Sequence, residues 1–366
     1  MIVYYGVIIA VLVFGTLAQD INSQSKIQLS SPTEDVVGYK NHYGIFYFLL
    51  FAVFVFVGGF RYYVGTDFGA YYRMYNYSWS EIVGAFKTLD EPGLKLVSYL
   101  ARIIWDDGVS VIFFACLITT ALVFRGISKF DNNDITIMLL IYVFIGGWTF
   151  SFNGVRQGLA AAIIFAFAKV TEKNWVLKYM VLCFIAFLFH KSALMMLPIL
   201  ILSHRKFDKS QILVLLFSAV AIPFLFDFAF DFMGSNTTNE DALLYIERQI
   251  NPIRVIVAFA PIILLFFVVN KKDFFKKNSF AVNLMIYNAI LTFTTMNSAY
   301  LNRFTHYTGM FLMIYFPSVL KSMRKDYRIA ATIAIVVLYF LYFRYELTNG
   351  VGNVIWQWSF SHFGEY

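Results

Sequence analysis

The sequence contains few charged residues. Asp, Glu, Lys and Arg make up only 14% of its 366 residues, whereas 60% are hydrophobic and the mean hydropathy is +0.67. In a soluble globular domain about a quarter of the residues are charged. The shortage of charge therefore excludes a soluble enzyme and indicates a polytopic membrane protein.

Cysteine is scarce, and the motifs of soluble enzymes are missing. Cys116 and Cys183 both lie in apolar segments, which predicts two buried thiols and neither a disulfide framework nor a cysteine metal site. The chain has no P-loop, no GxGxxG turn after a strand, no HExxH and no GxSxG. The lack of an acidic DxD pair argues against a cytosolic transferase that uses sugar nucleotides. We expect no cofactor and no metal ion.

About twelve apolar segments are long enough to cross a membrane. They lie near residues 1–19, 43–60, 108–125, 135–150, 155–171, 174–190, 192–204, 210–228, 252–270, 279–296, 303–320 and 327–344. Several are close to the short limit of roughly 17 residues. We predict an all-α polytopic membrane protein in which residues 1–366 form a single integral membrane domain with about twelve transmembrane helices.

Lysine and arginine are unevenly distributed between alternate loops. Of the 29 such residues, 18 lie in six short loops, at 20–42, 125–134, 169–178, 204–209, 271–278 and 321–328. The positive-inside rule places these loops in the cytoplasm and both termini outside. The same rule accounts for the net charge of +7, so this charge does not indicate nucleic-acid binding.

Three external segments are long in this topology: the loops 61–107 and 229–251 and the tail 345–366. In the first loop, apolar residues recur at steps of three and four between Phe68 and Phe86. This spacing predicts an amphipathic helix that lies in the outer interface of the membrane. The tail ends in the aromatic stretch WQWSFSHF, which we expect to rest on the membrane or to fold back over a site.

Basic residues on the predicted outer side are mostly arginine, whose planar guanidinium suits phosphate oxygens. Arg61 precedes a turn, and Asp67 follows that turn near a helix N-terminus, where a carboxylate is a favoured cap. Two interpretations of Asp67 stay open: a helix cap, or a carboxylate that orients or deprotonates a sugar hydroxyl. Glu91, before Pro92 and Gly93, is likewise an ordinary loop residue or a second such carboxylate.

Asn153, Arg156 and Gln157 are spaced at i, i+3 and i+4, so they share one helix face at the outer start of a predicted span. The N-terminal end of a helix favours an anion. An arginine at that end is unfavourably placed unless an anion is bound. The pattern predicts a phosphate site, with a structural ion pair as the alternative.

Two further clusters contain histidine. His190 and Lys191 occupy a nearly loopless outer hairpin, where a histidine is a general base, a neutral phosphate donor or a hydrogen-bonded structural residue. Arg303 and His306, three residues apart, repeat the pattern of a basic residue at the outer start of a span.

These motifs occur in a fixed order over roughly residues 40–320: RYYVGTDFGAYY, EPG, NGVRQGLAAAI, FLFHKSALMMLPI and LNRFTHY. Together they resemble the EpsG family, which is related to the Wzy polymerases of O-antigen, capsule and exopolysaccharide synthesis. The resemblance implies a GT-C-like, metal-independent glycosyltransferase of the bacterial inner membrane. It would transfer a growing glycan from undecaprenyl diphosphate onto a lipid-linked repeat at the periplasmic or outer face. The motif residues carried over are Arg61, Gly65, Thr66, Asp67, Glu91, Arg156, Gln157, His190 and Arg303.

For this implied reaction we predict that Arg61, Arg156 and Arg303 bind the diphosphate, while His190, Asp67 and Glu91 compete as the base. Sugar-binding or supporting roles fall to Gln157, Asn153, Tyr71, Tyr72, Lys191 and His306. The implied partners are the lipid bilayer, the lipid-linked oligosaccharide as donor and acceptor, and a chain-length regulator protein. The main alternative is a flippase for the lipid-linked repeat, which is less favoured because the polar clusters gather at one surface. A histidine-dependent acyltransferase and a non-catalytic scaffold are further alternatives.

Overall fold

The computed structural model describes residues 1–29, 44–130, 134–169, 173–235, 248–349 and 356–363. These residues are almost entirely helical, which confirms the all-α prediction. Their contacts divide the chain into two compact units, Met1–Leu194 with Leu338–Tyr366, and Met195–Val337. Each unit is described by itself.

The first unit contains ten helices within the described residues, and they are numbered here in chain order. They are α1 (Ile2–Leu29), α2 (Gly44–Gly59), α3 (Phe68–Tyr72), α4 (Trp79–Thr88), α5 (Pro92–Ile104), α6 (Val109–Lys129), α7 (Ile135–Phe144), α8 (Gly147–Asn153), α9 (Val155–Phe167) and α10 (Trp175–Phe187). Short 3-10 segments at Arg73–Asn76, Lys191–Met195 and Ser359–Ser361 connect or follow them. The strands are β1 (Arg61–Tyr62) and β2 (Gln357–Trp358).

The second unit continues the numbering. Its helices are α11 (Met196–Ser203), α12 (Lys209–Ser235), α13 (Ile253–Ile263), α14 (Lys271–Thr294), α15 (Ala299–Asn302), α16 (Thr305–Gly309) and α17 (Leu312–Lys321), with a 3-10 segment at Leu264–Phe267. The long helix α18 (Lys325–Thr348) contributes residues to both units. Helix α14 packs against α11, α12, α13, α16 and α17, so it forms the centre of this unit.

Helix α9 lies at the centre of the first unit and packs against α6, α8 and α10. Its small residues Ala160–Ala162 are buried, and side chains of this size let neighbouring helix backbones approach closely. Because α9 is buried on nearly all sides, it holds its N-terminal residue Arg156 in a fixed position.

Of the described helices, three are long and apolar enough to cross a membrane alone: Ile2–Ser23, Val109–Lys129 and Lys325–Thr348. The pair α7 and α8 qualifies as a fourth span, but it bends by 44° at Gly146, whose positive φ of 77° suits glycine. Other apolar helices are 10–17 residues long. These helices agree with a membrane protein, and the number of twelve spans stays a prediction.

The predicted continuous amphipathic helix from Phe68 to Phe86 is wrong. The structure divides it into α3, a 3-10 turn and α4. Ser78 starts α4 by a reciprocal capping box, in which its hydroxyl accepts from the Glu81 N–H and the Glu81 carboxylate accepts from the Ser78 N–H. The break therefore has a sequence signal, S-x-x-E, that apolar spacing alone does not reveal.

The structure also describes parts of two segments that were predicted to be external. Helix α12 continues to Ser235, so the loop expected at 229–251 begins later; residues 236–247 lie outside the described residues. In the tail, β2 pairs antiparallel with β1 in the register Arg61–Trp358 and Tyr62–Gln357. The His362 ring stacks on Tyr62 at 3.8 Å, so the described part of the tail folds back onto the chain.

Candidate functional site

The carboxylate of Glu91 contacts several polar residues of the first unit. It accepts from Arg156 Nη1 at 2.5 Å and from the Lys191 backbone N–H at 2.9 Å, and His190 Nδ1 lies 3.3 Å from it. Ser192 Oγ lies 3.2 Å from the same ring nitrogen. We call Glu91, Arg156, His190, Ser192 and the Lys191 N–H the Glu91 cluster. It joins three motifs that are distant in the sequence.

The backbone around Glu91 explains the sequence Glu-Pro-Gly. Glu91 is left-handed, with φ of 45° and ψ of 54°, a conformation that costs a non-glycine residue about 1–3 kcal/mol. Pro92 then starts α5 at a position that needs no N–H donor. A Cβ on Gly93 would lie 2.7 Å from the Phe189 ring, and the Gly93 N–H donates to Leu188 O at 2.8 Å. The motif therefore packs the start of α5 against the hairpin that carries His190.

Arg156 lies at the start of α9, as predicted, and the structure supplies an anion for it. The ion pair with Glu91, kept as the alternative interpretation, is present. The charge of Arg156 acts on the neighbouring Tyr71 phenol. Burial raises the pKa of Tyr71, against the opposing effect of Arg156, so the phenol stays neutral.

His190 and Gln157 meet at Ser192, a residue that the sequence analysis did not single out. The Ser192 N–H lies 3.3 Å from His190 Nδ1, and Gln157 Nε2 donates to Ser192 Oγ at 3.5 Å. Glu91 and Ser192 therefore both contact the same ring nitrogen, Nδ1. This arrangement differs from a hydrolase triad, in which serine and carboxylate bond to opposite nitrogens.

Asn153 organises the turn of the first motif. Its Oδ1 accepts from the Thr66 N–H at 2.7 Å. Gly65 has a φ of 111°, and a Cβ there would lie 2.7 Å from the same Oδ1. Asp67 occupies the N-cap position of α3 without a side-chain cap bond; its Oδ1 accepts from the Thr66 hydroxyl at 3.1 Å. The capping interpretation of Asp67 is therefore wrong for its side chain.

Arg61 is a core residue, only 2% exposed. Its guanidinium donates to the backbone oxygens of Gly58 and Val64 and lies 4.5 Å from the centre of the Phe152 ring. Burial lowers the pKa of Arg61 to about 10, which leaves it charged at neutral pH. The structure thus gives Arg61 backbone partners rather than an open phosphate site.

Tyr71 and Tyr72 also differ from a sugar platform. Tyr71 is buried against Arg156. Tyr72 is half-buried and covers Gly108, where a Cβ would lie 2.5 Å from the tyrosine ring. Both rings pack against neighbouring parts of the chain, and a sugar contact for either stays a prediction.

An exposed ion-pair bridge links the site to α5. Asp90 accepts from Lys95 Nζ and from Lys191 Nζ, each at 3.0 Å. Hydrogen bonds from Lys95 and then Lys191 lower the pKa of Asp90 to about 2. The sequence analysis assigned no role to Asp90, although it stands directly before Glu91.

Arg303 and His306 belong to the second unit. Arg303 lies between α15 and α16, and the predicted span 303–320 is interrupted again between Gly309 and Leu312. The charges of Arg303 and of Arg254, on α13, both act on His306. Basic groups from two helices therefore converge there, and Arg254 is an addition to the predicted set.

The described residues contain no group of three or more His, Cys, Asp and Glu side chains that could hold a metal ion. The family model of the EpsG family matches residues 44–358. The chain belongs to the EpsG family. EpsG-type proteins are Wzy-like polymerases, so membership implies a membrane glycosyltransferase of polysaccharide synthesis. No curated protein and no solved structure matches the chain.

The EpsG match extends beyond the motifs that carry the resemblance, which end near residue 320. It includes α18 and β2. Because β2 pairs with β1, which contains Arg61, this later part of the family pattern is packed against the first motif.

Proposed function

We propose that this EpsG protein polymerises a polysaccharide at the outer face of the bacterial inner membrane. It transfers a growing glycan from undecaprenyl diphosphate onto the terminal sugar of a lipid-linked repeat. Family membership supports a polymerase of the glycosyltransferase type. The donor, the acceptor and the side of the membrane are parts of this proposal.

The unequal exposure of the Glu91–Arg156 pair is the observation that carries the proposal. The Glu91 side chain is 9% exposed, whereas that of Arg156 is 44% exposed. Glu91 is fixed inside the protein, whereas part of the Arg156 side chain is exposed. Its guanidinium group carries five N–H donors. Arg156 is thus preorganised to bind the diphosphate oxygens as negative charge develops on them.

His190 is the best-placed base. Nδ1 lies 3.3 Å both from the Glu91 carboxylate and from the Ser192 nitrogen, and the proposed reaction uses the tautomer whose Nδ1 proton is directed to Glu91. In this tautomer Nε2 can accept the proton of the acceptor hydroxyl. Glu91 already accepts from Arg156 and from Lys191, so its role is to orient both His190 and Arg156. Asp67 and Asn153 shape the adjoining turn, and Arg61 supports it from the core.

In the proposed reaction the acceptor oxygen forms a bond to the anomeric carbon. The bond from that carbon to the diphosphate oxygen breaks, and the lipid diphosphate leaves with the electron pair. The hydroxyl proton moves to His190 Nε2. Arg156 stabilises the leaving diphosphate, and the diphosphate contact expected of Arg303 stays a prediction from the sequence.

The test uses the purified chain in nanodiscs with a lipid diphosphate-linked repeat unit, without nucleotide sugar. We expect a ladder of lengthened glycans. Removing one preorganised donor costs on the order of 10²–10³ in rate, so Arg156→Ala should nearly abolish the ladder, and Arg156→Lys should restore part of it. Arg303→Ala tests the second predicted diphosphate contact.

Arg73→Ala is the matched control, because Arg73 is an exposed arginine outside the Glu91 cluster. It should give the wild-type ladder. A wild-type protein that moves the intact lipid-linked repeat across the bilayer without lengthening it would contradict the proposal and favour a flippase.

A further inference from the structure

Four aromatic side chains form a partly exposed row beside the Glu91 cluster. Tyr75 and Tyr77 lie between α3 and α4, Trp79 starts α4, and Tyr99 lies on α5. We call these four side chains the aromatic ridge. Trp79 is 55% exposed, and its ring centre lies 5.5 Å from that of Tyr99.

Two positively charged side chains of α5 contact the rings of the ridge. The Arg102 guanidinium lies 5.6 Å from the Tyr75 ring centre and 5.4 Å from that of Tyr99. Lys95 Nζ lies 5.6 Å from the Tyr77 ring centre. Contacts at these distances are stabilising cation–π interactions.

The ridge is continuous with the candidate active site. Lys95, which covers Tyr77, is also the partner of Asp90, and Asp90 bonds to Lys191 of the His190 hairpin. Tyr77 also acts electrostatically on Arg156. The ridge is therefore linked to the proposed reaction centre through Lys95, Asp90 and Lys191.

Helix α5 has two different solvent-accessible faces. Lys95, Tyr99 and Arg102, spaced at i, i+4 and i+7, form the ridge side. Leu100 and Ile104 represent the other side, which is apolar and strongly exposed. The apolar side suits lipid. The ridge side combines rings with charge, which hydrocarbon does not favour.

The chemistry of the ridge fits a saccharide. A sugar ring has an apolar C–H face that packs on an aromatic ring and a hydroxyl edge that needs polar partners. Trp79 supplies an exposed aromatic face. The Arg102 guanidinium donates to the backbone oxygen of Tyr75 at 3.3 Å, and the Asp106 carboxylate accepts from the Tyr75 hydroxyl. Hydrogen-bonding groups therefore border the rings.

We propose that the aromatic ridge binds the oligosaccharide segment next to the reacting sugar. The inference rests on the proposed polymerase function and names the part of the chain that holds the glycan during transfer. It replaces Tyr71 and Tyr72, which are packed between helices, as the sugar platform.

The direct test measures binding of lipid-free oligosaccharides, prepared by partial hydrolysis of the surface polysaccharide of the producing cells. Full-length protein in nanodiscs is compared with Trp79→Leu and Tyr99→Leu, which keep apolar volume but remove a ring. An aromatic contact contributes about 0.5–1.5 kcal/mol, so each change should weaken binding roughly two- to twelvefold. Phe86→Leu is the control, since Phe86 is an exposed ring of α4 outside the ridge.

Unchanged affinity in both ridge variants, or no oligosaccharide binding by an otherwise active wild type, overturns the inference. A second measurement addresses lipid as the rival occupant. The fluorescence of Trp79, taken as the difference between wild type and Trp79→Leu, should respond to oligosaccharide and not to brominated acyl chains. Quenching by brominated lipid alone also overturns the inference.

The polymerase proposal and the saccharide-binding proposal can be refuted independently of each other. Arg156→Ala should lose polymerisation but still bind oligosaccharide, because the ridge lies outside the diphosphate contact. If the wild type binds oligosaccharide through the ridge but makes no ladder, the polymerase proposal fails while the saccharide site stands.

Discussion

The exchange Glu91→Gln separates the structural and the catalytic role of the Glu91 cluster. Glutamine keeps the shape and an oxygen that accepts from the Lys191 N–H, but it removes the charge that pairs with Arg156. Surface ion pairs contribute about 0–1 kcal/mol, and breaking a buried pair costs about 3–5 kcal/mol. Because one partner is buried and the other about half exposed, we expect a loss of about 1–3 kcal/mol.

The expected loss of activity is much larger. The oxygen that accepts from the Lys191 N–H is also the one beside His190 Nδ1, so the amide nitrogen takes the place of Oε2 and faces the Arg156 guanidinium, donor against donor. Arg156 then loses the partner that positions it, and removing a preorganised donor lowers the rate by on the order of 10²–10³. Glu91→Gln should therefore lower Tm by only a few degrees while the glycan ladder disappears.

A double-mutant cycle tests the stability part of this reasoning. Thermal unfolding in detergent is measured for wild type, Glu91→Gln, Arg156→Gln and the double variant. Residues in direct contact have coupling energies of about 0.5–3 kcal/mol, so the double variant should lose less stability than the sum of the single changes. Additive losses, or a wild-type ladder from Glu91→Gln, would refute the proposed geometry.

The remaining predictions concern neighbouring positions. Gly93→Ala should lower stability by about 1–3 kcal/mol, seen as a lower Tm, because the new methyl group overlaps the Phe189 ring; an unchanged Tm would disagree with the packing. Ser192→Ala should shift the pH profile of polymerisation with little change in Tm, since Ser192 contacts His190 Nδ1; an unshifted profile would remove its positioning role. The folded pKa of Asp90 is lowered from 3.8 to about 2, so its ion pairs stabilise the protein above pH 3.8 and lose this effect as pH falls towards 2. Asp90 is exposed, so the effect should stay below about 1 kcal/mol, and Asp90→Asn should remove this acid dependence of Tm.

The sequence predicts the main composition of the site well, because charge is rare enough in this chain to be informative. Arg156, Glu91 and His190 stand out as polar residues beside apolar segments, and the structure brings them together within hydrogen-bonding distance. Their pairing is not visible in the sequence. Glu91 and Arg156 are 65 residues apart, and periodicity within one helix says nothing about a contact between helices.

Arg61 and Tyr72 show why the role of a single side chain is hard to predict from the sequence. Arg61 and Tyr72 belong to types that also bind phosphate and sugar, but the same side chains can satisfy backbone oxygens or fill space beside glycine. Burial decides between these roles, and burial depends on tertiary packing. The arrangement of the aromatic ridge is hard to predict for another reason, since the apolar spacing around Trp79 suggests one continuous helix and hides the turn before α4.

The interruption between α8 and α9 explains how an apolar protein can hold this site. In a membrane, non-helical backbone is tolerated where protein groups satisfy it or where it lines a polar cavity. Gly154 ends α8, and a Cβ there would lie 2.6 Å from the Phe150 ring, so glycine permits the close turn. The break in the helix therefore creates the helix start that presents Arg156 to Glu91 and places its charge beside Tyr71.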